Sequence, residues 1–308
     1  MERAIRVVER LKGPIVPVNI CFGDDDSLNV PAMRKYVNWL CEQNIPVILL
    51  TYGSSEFCSL TDQEIWRLTA ELAEEISGRS LFIGSTGWWP PEPCRDFLKH
   101  CDSVGVDAVK IQMHPGLGVK REVIVGYFDS VQDAAPIPLL ILGAWQDPYP
   151  VGIVAELAKR PEVVGIKNDG HPFYAYYDLI RTTTEENFAV VSGGQMRNFM
   201  FGYPLGSTAY LCTVAPFRPD IALTFYNALT TGNDADAREV VFRYEEPWLK
   251  VATGLGWLPS IKSALHIHGL YPNHRLRTPA VFHTDEQHRE VRAALARIFG
   301  TIKSVELQ

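Results

Sequence analysis

The stretch PLLILGAWQDPYPVGIVAELAKRPEVVGIK, Pro138 to Lys167, decides the fold. Pro138-Leu-Leu-Ile-Leu142 and Val163-Val-Gly-Ile-Lys167 are short apolar runs of strand length, and between them lie turn chemistry and then an amphipathic segment of helix length from about Pro150. Strand, turn, helix and strand again is the signature of a βα unit, whose parallel strands are buried on both faces. Moving outward, the same alternation recurs: PIVPVNIC from Pro14, PVILL from Pro46, LFIGS from Leu81, AVKIQ from Ala108, AVVSG from Ala189 and STAYLC from Ser207. Starts at 14, 46, 81, 108, 138, 163, 189 and 207 stand 18 to 35 residues apart, room enough for right-handed crossovers. Eight such units predict the α/β class and a TIM (β/α)8 barrel. An open doubly wound sheet would want a Gly-rich phosphate loop after its first strand, and that position reads CFGDDDSLN.

Helix starts support the pattern. Thr61-Asp-Gln-Glu64 is a capping box ahead of a stripe formed by Ile65, Leu68, Leu72 and Ile76, and other helices are expected from about Pro31, Pro91, Arg121, Pro150 and Phe173. Beyond the eighth run, helical periodicity covers Pro219–Thr231, Ala235–Thr253, Pro259–Ile267 and Thr284–Ile302. Only the first of these is needed to close the barrel. Residues 1–231 are therefore read as the barrel and 232–308 as a C-terminal helical extension packed on it, since no Ser/Gly/Pro-rich linker separates them.

With 46% hydrophobic and 21% charged residues, the 308-residue chain has the composition of a globular protein with a large core. A net charge of −7 without any Lys/Arg-rich run argues against nucleic acid or an anionic membrane as partner, which both need a concentrated positive field, and favours a small molecule. The six cysteines lack C-x-x-C spacing and read as reduced thiols of a cytoplasmic protein. Met1 to Lys12 is charged and amphipathic with no apolar core, and no apolar run approaches the ~20 residues of a membrane helix, so neither export nor membrane insertion is expected.

Reactive groups of such barrels sit at the C-terminal ends of strands and in the loops that follow. Lys167 stands out there as a single cation ending an apolar strand, where an ammonium is costly unless paired or deprotonated. A desolvated amine attacks a ketone to give a Schiff base, an electron sink for breaking a neighbouring bond; the alternative is a lysine whose tip reaches solvent.

These residues carry a resemblance. From about Gly13 to Leu270 the chain resembles the dihydrodipicolinate synthase and N-acetylneuraminate lyase family of lysine-dependent barrel aldolases. Tyr52-Gly-Ser-Ser-Glu56 with Ser59-Leu60-Thr61 resembles the family's G-T-T-G-E and following S/T-L-T; Val164-Gly-Ile-Lys167 resembles its G-I-K; Val191-Ser-Gly193, Thr213-Val-Ala-Pro216 and Ile261-Lys262-Ser-Ala-Leu265 with Gly269-Leu270 follow in order. The resemblance implies a Schiff base on Lys167, binding of a pyruvate-type carboxylate by Ser54, Ser55 and the turn at Gly53, no metal and no organic cofactor, and a homo-oligomer, tetramer or dimer.

Departures narrow the expectation. Leu142 stands where the family has its proton-shuttling tyrosine, Ala144-Trp-Gln-Asp-Pro-Tyr149 replaces the arginine-bearing loop, and His114-Pro115-Gly116 replaces a tyrosine pair. Lysine biosynthesis is therefore not expected. His114, an imidazole and so a residue type suited to proton transfer, is the candidate to take over the relay, and Tyr52, Tyr149 and Glu56 are expected nearby. Lys110, Gln112 and His114 alternate with apolar neighbours and should face the barrel interior, where Lys110 could lower the pKa of Lys167 by like-charge repulsion unless it is paired to a carboxylate or reaches out of the barrel floor. Trp145 among the aromatics of the mouth, Gly193, and Arg197 with Arg218 complete the expected binding groups. Asp24-Asp-Asp26 reads as a solvated loop, and His266 and His268 do not share a helix face. The expected activity is that of a lyase acting on a 2-oxo acid by aldol chemistry or dehydration. The rival is a non-catalytic barrel that binds a metabolite after losing the tyrosine relay.

Overall fold

The computed structural model describes residues 1–143, 148–302, 304, 305 and 307. The eight runs form eight parallel strands, β1 (Gly13–Pro17), β2 (Val47–Leu49), β3 (Leu81–Ser85), β4 (Ala108–Ile111), β5 (Leu139–Gly143), β6 (Val163–Asn168), β7 (Ala189–Ser192) and β8 (Ala209–Leu211). They pair in chain order and close, with Gly13 opposite Ala209, into a barrel. Apolar runs without strict alternation suit this arrangement because each strand is covered on both faces. Outward side chains such as Val109, Ile141 and Ile166 pack under the surrounding helices. Inward ones, among them Ile15, Leu49, Ile83, Leu140, Val164 and Val191, form a separate inner core, closed at the N-terminal end by Ala4, Val7 and Leu11 of the α1 (Glu2–Arg10) region.

One irregularity positions the site. Opposite the consecutive residues Leu139 and Leu140 of β5 stand Val163 and Gly165 of β6, so Val164 is an extra residue. With a strict pleat, Val164 and Lys167, three apart, would point to opposite faces. The bulge lets Val164 fill the inner core and Ile166 the outer one, and still turns Lys167 inward. Gly165 suits the spot, since a Cβ there would lie 2.6 Å from the Ala189 carbonyl oxygen.

The helices α2 (Val30–Glu42), α3 (Asp62–Ile76), α4 (Pro91–Ser103), α5 (Arg121–Val131), α6 (Val151–Ala158) and α7 (Phe173–Thr183) surround the barrel. Thr61 and Glu64 form the expected reciprocal cap of α3, and Ile65, Leu68, Leu72 and Ile76 are its buried stripe. The stretch Gly193–Arg197, which follows the seventh strand, enters α8 (Gln195–Gly202). After α9 (Pro219–Thr230), the helix expected over Ala235–Thr253 is divided: α10 (Asp234–Val240), a π turn at Val241–Glu245, then α11 (Glu246–Leu255). Pro247 accounts for the break, because it has no N–H and its ring crowds the carbonyl one turn back. The helices α12 (Trp257–Ile267) and α13 (Asp285–Phe299) end the chain, the latter with a second capping box from Thr284 and Gln287. Among the described residues, no helix is long and apolar enough to cross a membrane.

Candidate active site

At the C-terminal mouth of the barrel lies a cavity of about 490 Å³, lined by Thr51, Tyr52, Gly53, Ser54, Trp88, Gln112, His114, Leu142, Tyr149, Lys167 and Asp169 among others. Lys167, only 6% exposed, ends its strand in this cavity, and its Nζ donates to Asp169 Oδ2. Two residues apart at a strand end, the two side chains point the same way. That spacing is the signal in the chain for Asp169 as the partner of Lys167. Leu142 is the cross-strand neighbour of Lys167, so an aliphatic side chain stands beside the amine where the family resemblance would put a phenol.

Gly193 does not line the cavity. A Cβ on it would come within 1.7 Å of Asp169 Oδ1 and 2.6 Å of the Asn168 carbonyl, so the glycine makes room for the carboxylate that meets Lys167. Its expected part in substrate binding is corrected to that of a packing position. Arg197 is corrected as well: its side chain is exposed on α8 and away from the cavity lining. Instead its backbone N–H, with that of Met196, donates to the buried Glu245 carboxylate. Arg218 is likewise turned to Asp220, with Nε and Nη2 on the two carboxylate oxygens at 2.8 and 2.6 Å.

The two serines separate. Ser54 lines the cavity beside Gly53, and its carbonyl oxygen accepts from Asn19 Nδ2 at 2.9 Å. Ser55 is fully buried; its hydroxyl donates to the Val18 carbonyl at 2.6 Å and accepts from the Thr51 N–H at 3.0 Å. The Ser55 hydroxyl therefore pins the turn to Val18, just past β1, and its neighbour Ser54 is the serine that reaches the cavity. Glu56 also points elsewhere, pairing at 3.0 Å with Lys262 in a fully buried salt bridge.

His114 is exposed on the cavity rim, with Nδ1 accepting from the Gly116 N–H at 3.0 Å. That bond leaves the proton of the neutral ring on Nε2. The ring stands edge-on to Trp88, at 5.4 Å between centroids, and Trp88 stacks on Tyr52 at 4.0 Å, forming an aromatic wall. Tyr149 lines another part of the cavity, and burial pushes its phenol up to about 12. Trp145 lies outside the described residues.

Beneath the cavity sits Lys110, fully buried, with Nζ donating to Thr51 Oγ1 at 2.6 Å. Burial, and then the charge of Lys167, drive its pKa well below the usual lysine range, with Asp169 opposing. Neither a carboxylate partner nor an exit through the floor is found for it among the described residues. Thr51 is thus a second residue whose part in the site, as the anchor of a buried amine, no local motif announced. Gln112 completes this layer, its amide Nε2 donating to Ser85 Oγ at 3.0 Å and the Thr86 carbonyl at 2.6 Å.

Comparison with known proteins agrees with this architecture. The chain is 25% identical over 277 residues to a probable 5-dehydro-4-deoxyglucarate dehydratase of Streptomyces avermitilis, covering 85% of this chain and 82% of that one. It is also 25% identical over 285 residues to an uncharacterized DapA-like lyase of Pyrococcus furiosus, covering 92% and 95%. A dihydrodipicolinate synthase from Oceanobacillus iheyensis superposes with a TM-score of 0.85 at 20% identity, over 95% of this chain and 98% of the other. A prophage protein of the dihydrodipicolinic acid synthase family from E. coli K12, solved in complex with pyruvate, gives the same TM-score of 0.85 at 18% identity over 94% and 99%. These two likenesses establish the fold. The model of the dihydrodipicolinate synthetase family matches residues 10–298, and the chain belongs to that family.

Proposed function

We propose that this protein is a lyase acting on a 2-oxo acid through a Schiff base on Lys167, with dehydration the favoured reaction. The observation that carries the reading is the pairing of an accessible but desolvated Lys167 amine with the Asp169 carboxylate inside the cavity. Family membership supports a lyase, and the Streptomyces avermitilis relative named as a probable 5-dehydro-4-deoxyglucarate dehydratase, at 25% identity, supports loss of water over carbon–carbon cleavage.

In this mechanism Asp169 takes a proton from the Lys167 ammonium, and the free amine adds to the C2 carbonyl to give a carbinolamine. Asp169 returns the proton to the carbinolamine hydroxyl, which leaves as water and yields the iminium ion. Asp169, again a carboxylate, takes the C3 proton to give the enamine, and that proton passes to the C4 hydroxyl, which the enamine electron pair expels as a second water. Hydrolysis of the resulting imine releases product and restores Lys167. Ser54 and the backbone of the turn at Gly53 bind the substrate carboxylate. His114 and Tyr149 are the groups at hand for proton traffic farther from Lys167. Assembly as a homo-oligomer belongs to the same proposal and is tested by light scattering.

Borohydride trapping tests it. Incubation with pyruvate or a 2-oxo sugar acid, then reduction, intact mass and peptide mapping, should give one adduct on Lys167 that is absent from Lys167→Arg. Absence of any adduct across a panel of 2-oxo acids, with the protein folded, would instead favour a metabolite-binding barrel, the reading suggested by Leu142 beside the amine.

A further inference from the structure

A second cluster lies outside the barrel mouth, in the helical extension. His266 of α12, His274 of the connecting segment and His288 of α13 each offer one ligand atom, and these atoms lie within 4.8 Å of one another. The rings pack together, with His274 stacked on His288 at 4.2 Å between centroids and His266 at 5.3 Å from His288. Three half-buried imidazoles meeting without a carboxylate among them is costly if any carries charge and is unused if all stay neutral.

Their hydrogen bonds sort the nitrogens. His266 Nδ1 is 3.0 Å from the Tyr271 carbonyl oxygen, and His274 Nε2 is 3.2 Å from that of His283. A carbonyl only accepts, so each of these nitrogens must carry the proton, leaving His266 Nε2 and His274 Nδ1 as lone pairs. His288 Nδ1 is buried with no hydrogen-bond partner among the described residues. Backbone carbonyls that fix the tautomer and aim the other nitrogen are the usual outer support of metal-bound histidine. His283, whose carbonyl does this for His274, is itself held by Ser263 Oγ at 2.9 Å and the Leu255 carbonyl at 3.0 Å.

We propose that His266, His274 and His288 form a site for a divalent transition metal, with zinc the fitting ion. Three neutral imidazoles are nitrogen donors suited to zinc, and bonds of ~2.0–2.1 Å in a tetrahedral site leave a fourth position for water on the half-exposed side. Arg292 and Asp285 flank the rings with opposite charges, so attraction for the ion rests on the lone pairs. The ion would clip α12, the connecting segment and α13 to one another. This role is separate from the Schiff-base reading, because none of the three residues lines the barrel cavity.

The test uses the full-length, untagged chain, stripped with a chelator and titrated with zinc chloride by calorimetry, then with cobalt chloride by visible absorption. One equivalent should bind with a dissociation constant in the micromolar range or tighter, cobalt should show the absorption of a four-coordinate ion, and zinc should raise the unfolding midpoint by about 4 °C. His288→Gln and His274→Ala should each weaken binding at least 100-fold, and Lys167→Arg should bind zinc like the parent chain. Binding below one equivalent, or unchanged affinity in both histidine variants, would overturn the proposal. Should His288→Gln fail to fold, His274→Ala decides the matter, since its ring sits on a connecting segment rather than in a helix.

Discussion

Asp169 is the residue on which the proposed chemistry turns. It reaches Lys167 because Gly193 leaves its carboxylate space, and it stands ready where Leu142 offers no phenol. Asp169→Asn keeps the size and loses the base. Steady-state turnover should fall ~10²–10⁴-fold, the usual contribution of a positioned general base, while borohydride still traps Lys167, more slowly. A variant with the parent's rate of imine formation would remove Asp169 from the mechanism. Lys110 bears on the same chemistry from below, as a buried amine that feels the charge of Lys167 and donates to the Thr51 hydroxyl.

The start of α8 shows how an element can be built by a residue far away in the chain. The N–H groups of Met196 and Arg197, in its first turn, donate to Glu245 at 2.6 and 3.1 Å. The π turn at Val241–Glu245 ends on this carboxylate, which is fully buried. Burial raises the Glu245 pKa from 4.5 to about 7 despite those two donors. A carboxyl raised in the folded state binds its proton more tightly there, so its contribution to stability is complete below pH ~4.5 and is lost as pH rises through about 7. Relative to Glu245→Gln, the parent chain should therefore lose on the order of 2 kcal/mol between pH 5 and pH 8. Urea unfolding at the two pH values measures this, and parallel changes in the two proteins would refute it.

Polar contacts, buried or half-buried, tie the helices after the eighth strand to the barrel. Lys262 of α12 pairs with Glu56 and donates to the Ile20 carbonyl, Tyr271 Oη donates to the Asn19 carbonyl at 2.5 Å, and Arg277 reaches Glu64 at 2.8 Å. Glu56 belongs to the turn that carries Gly53 and Ser54, so the extension holds the proposed carboxylate-binding turn in place. Lys262→Met should destabilise the chain by ~3–5 kcal/mol, because Glu56 is then left buried and unpaired, and the double variant with Glu56→Gln should recover part of that loss. Thermal or denaturant unfolding of the four proteins reads the coupling directly; a Lys262→Met chain as stable as the parent would show that the pair contributes nothing.

The sequence by itself determined the eight strands, the capping box at Thr61 and the placement of Lys167 at a strand end, because periodicity, capping and turn chemistry are written within a few neighbouring residues. It also carried the family, through motifs in fixed order. Only the tertiary structure decided that Ser54 faces the cavity while Ser55 holds β1, that Arg197 points outward, that Gly193 makes room for Asp169, and that Lys110 meets Thr51. Spacing along the chain did not suggest the three histidines either, since His266, His274 and His288 lie on two helices and a connecting segment. The reason is physical: these outcomes depend on groups far apart in sequence brought within bonding distance, and the meeting of Lys167 and Asp169 in the cavity also on a one-residue bulge that changes which face a side chain takes.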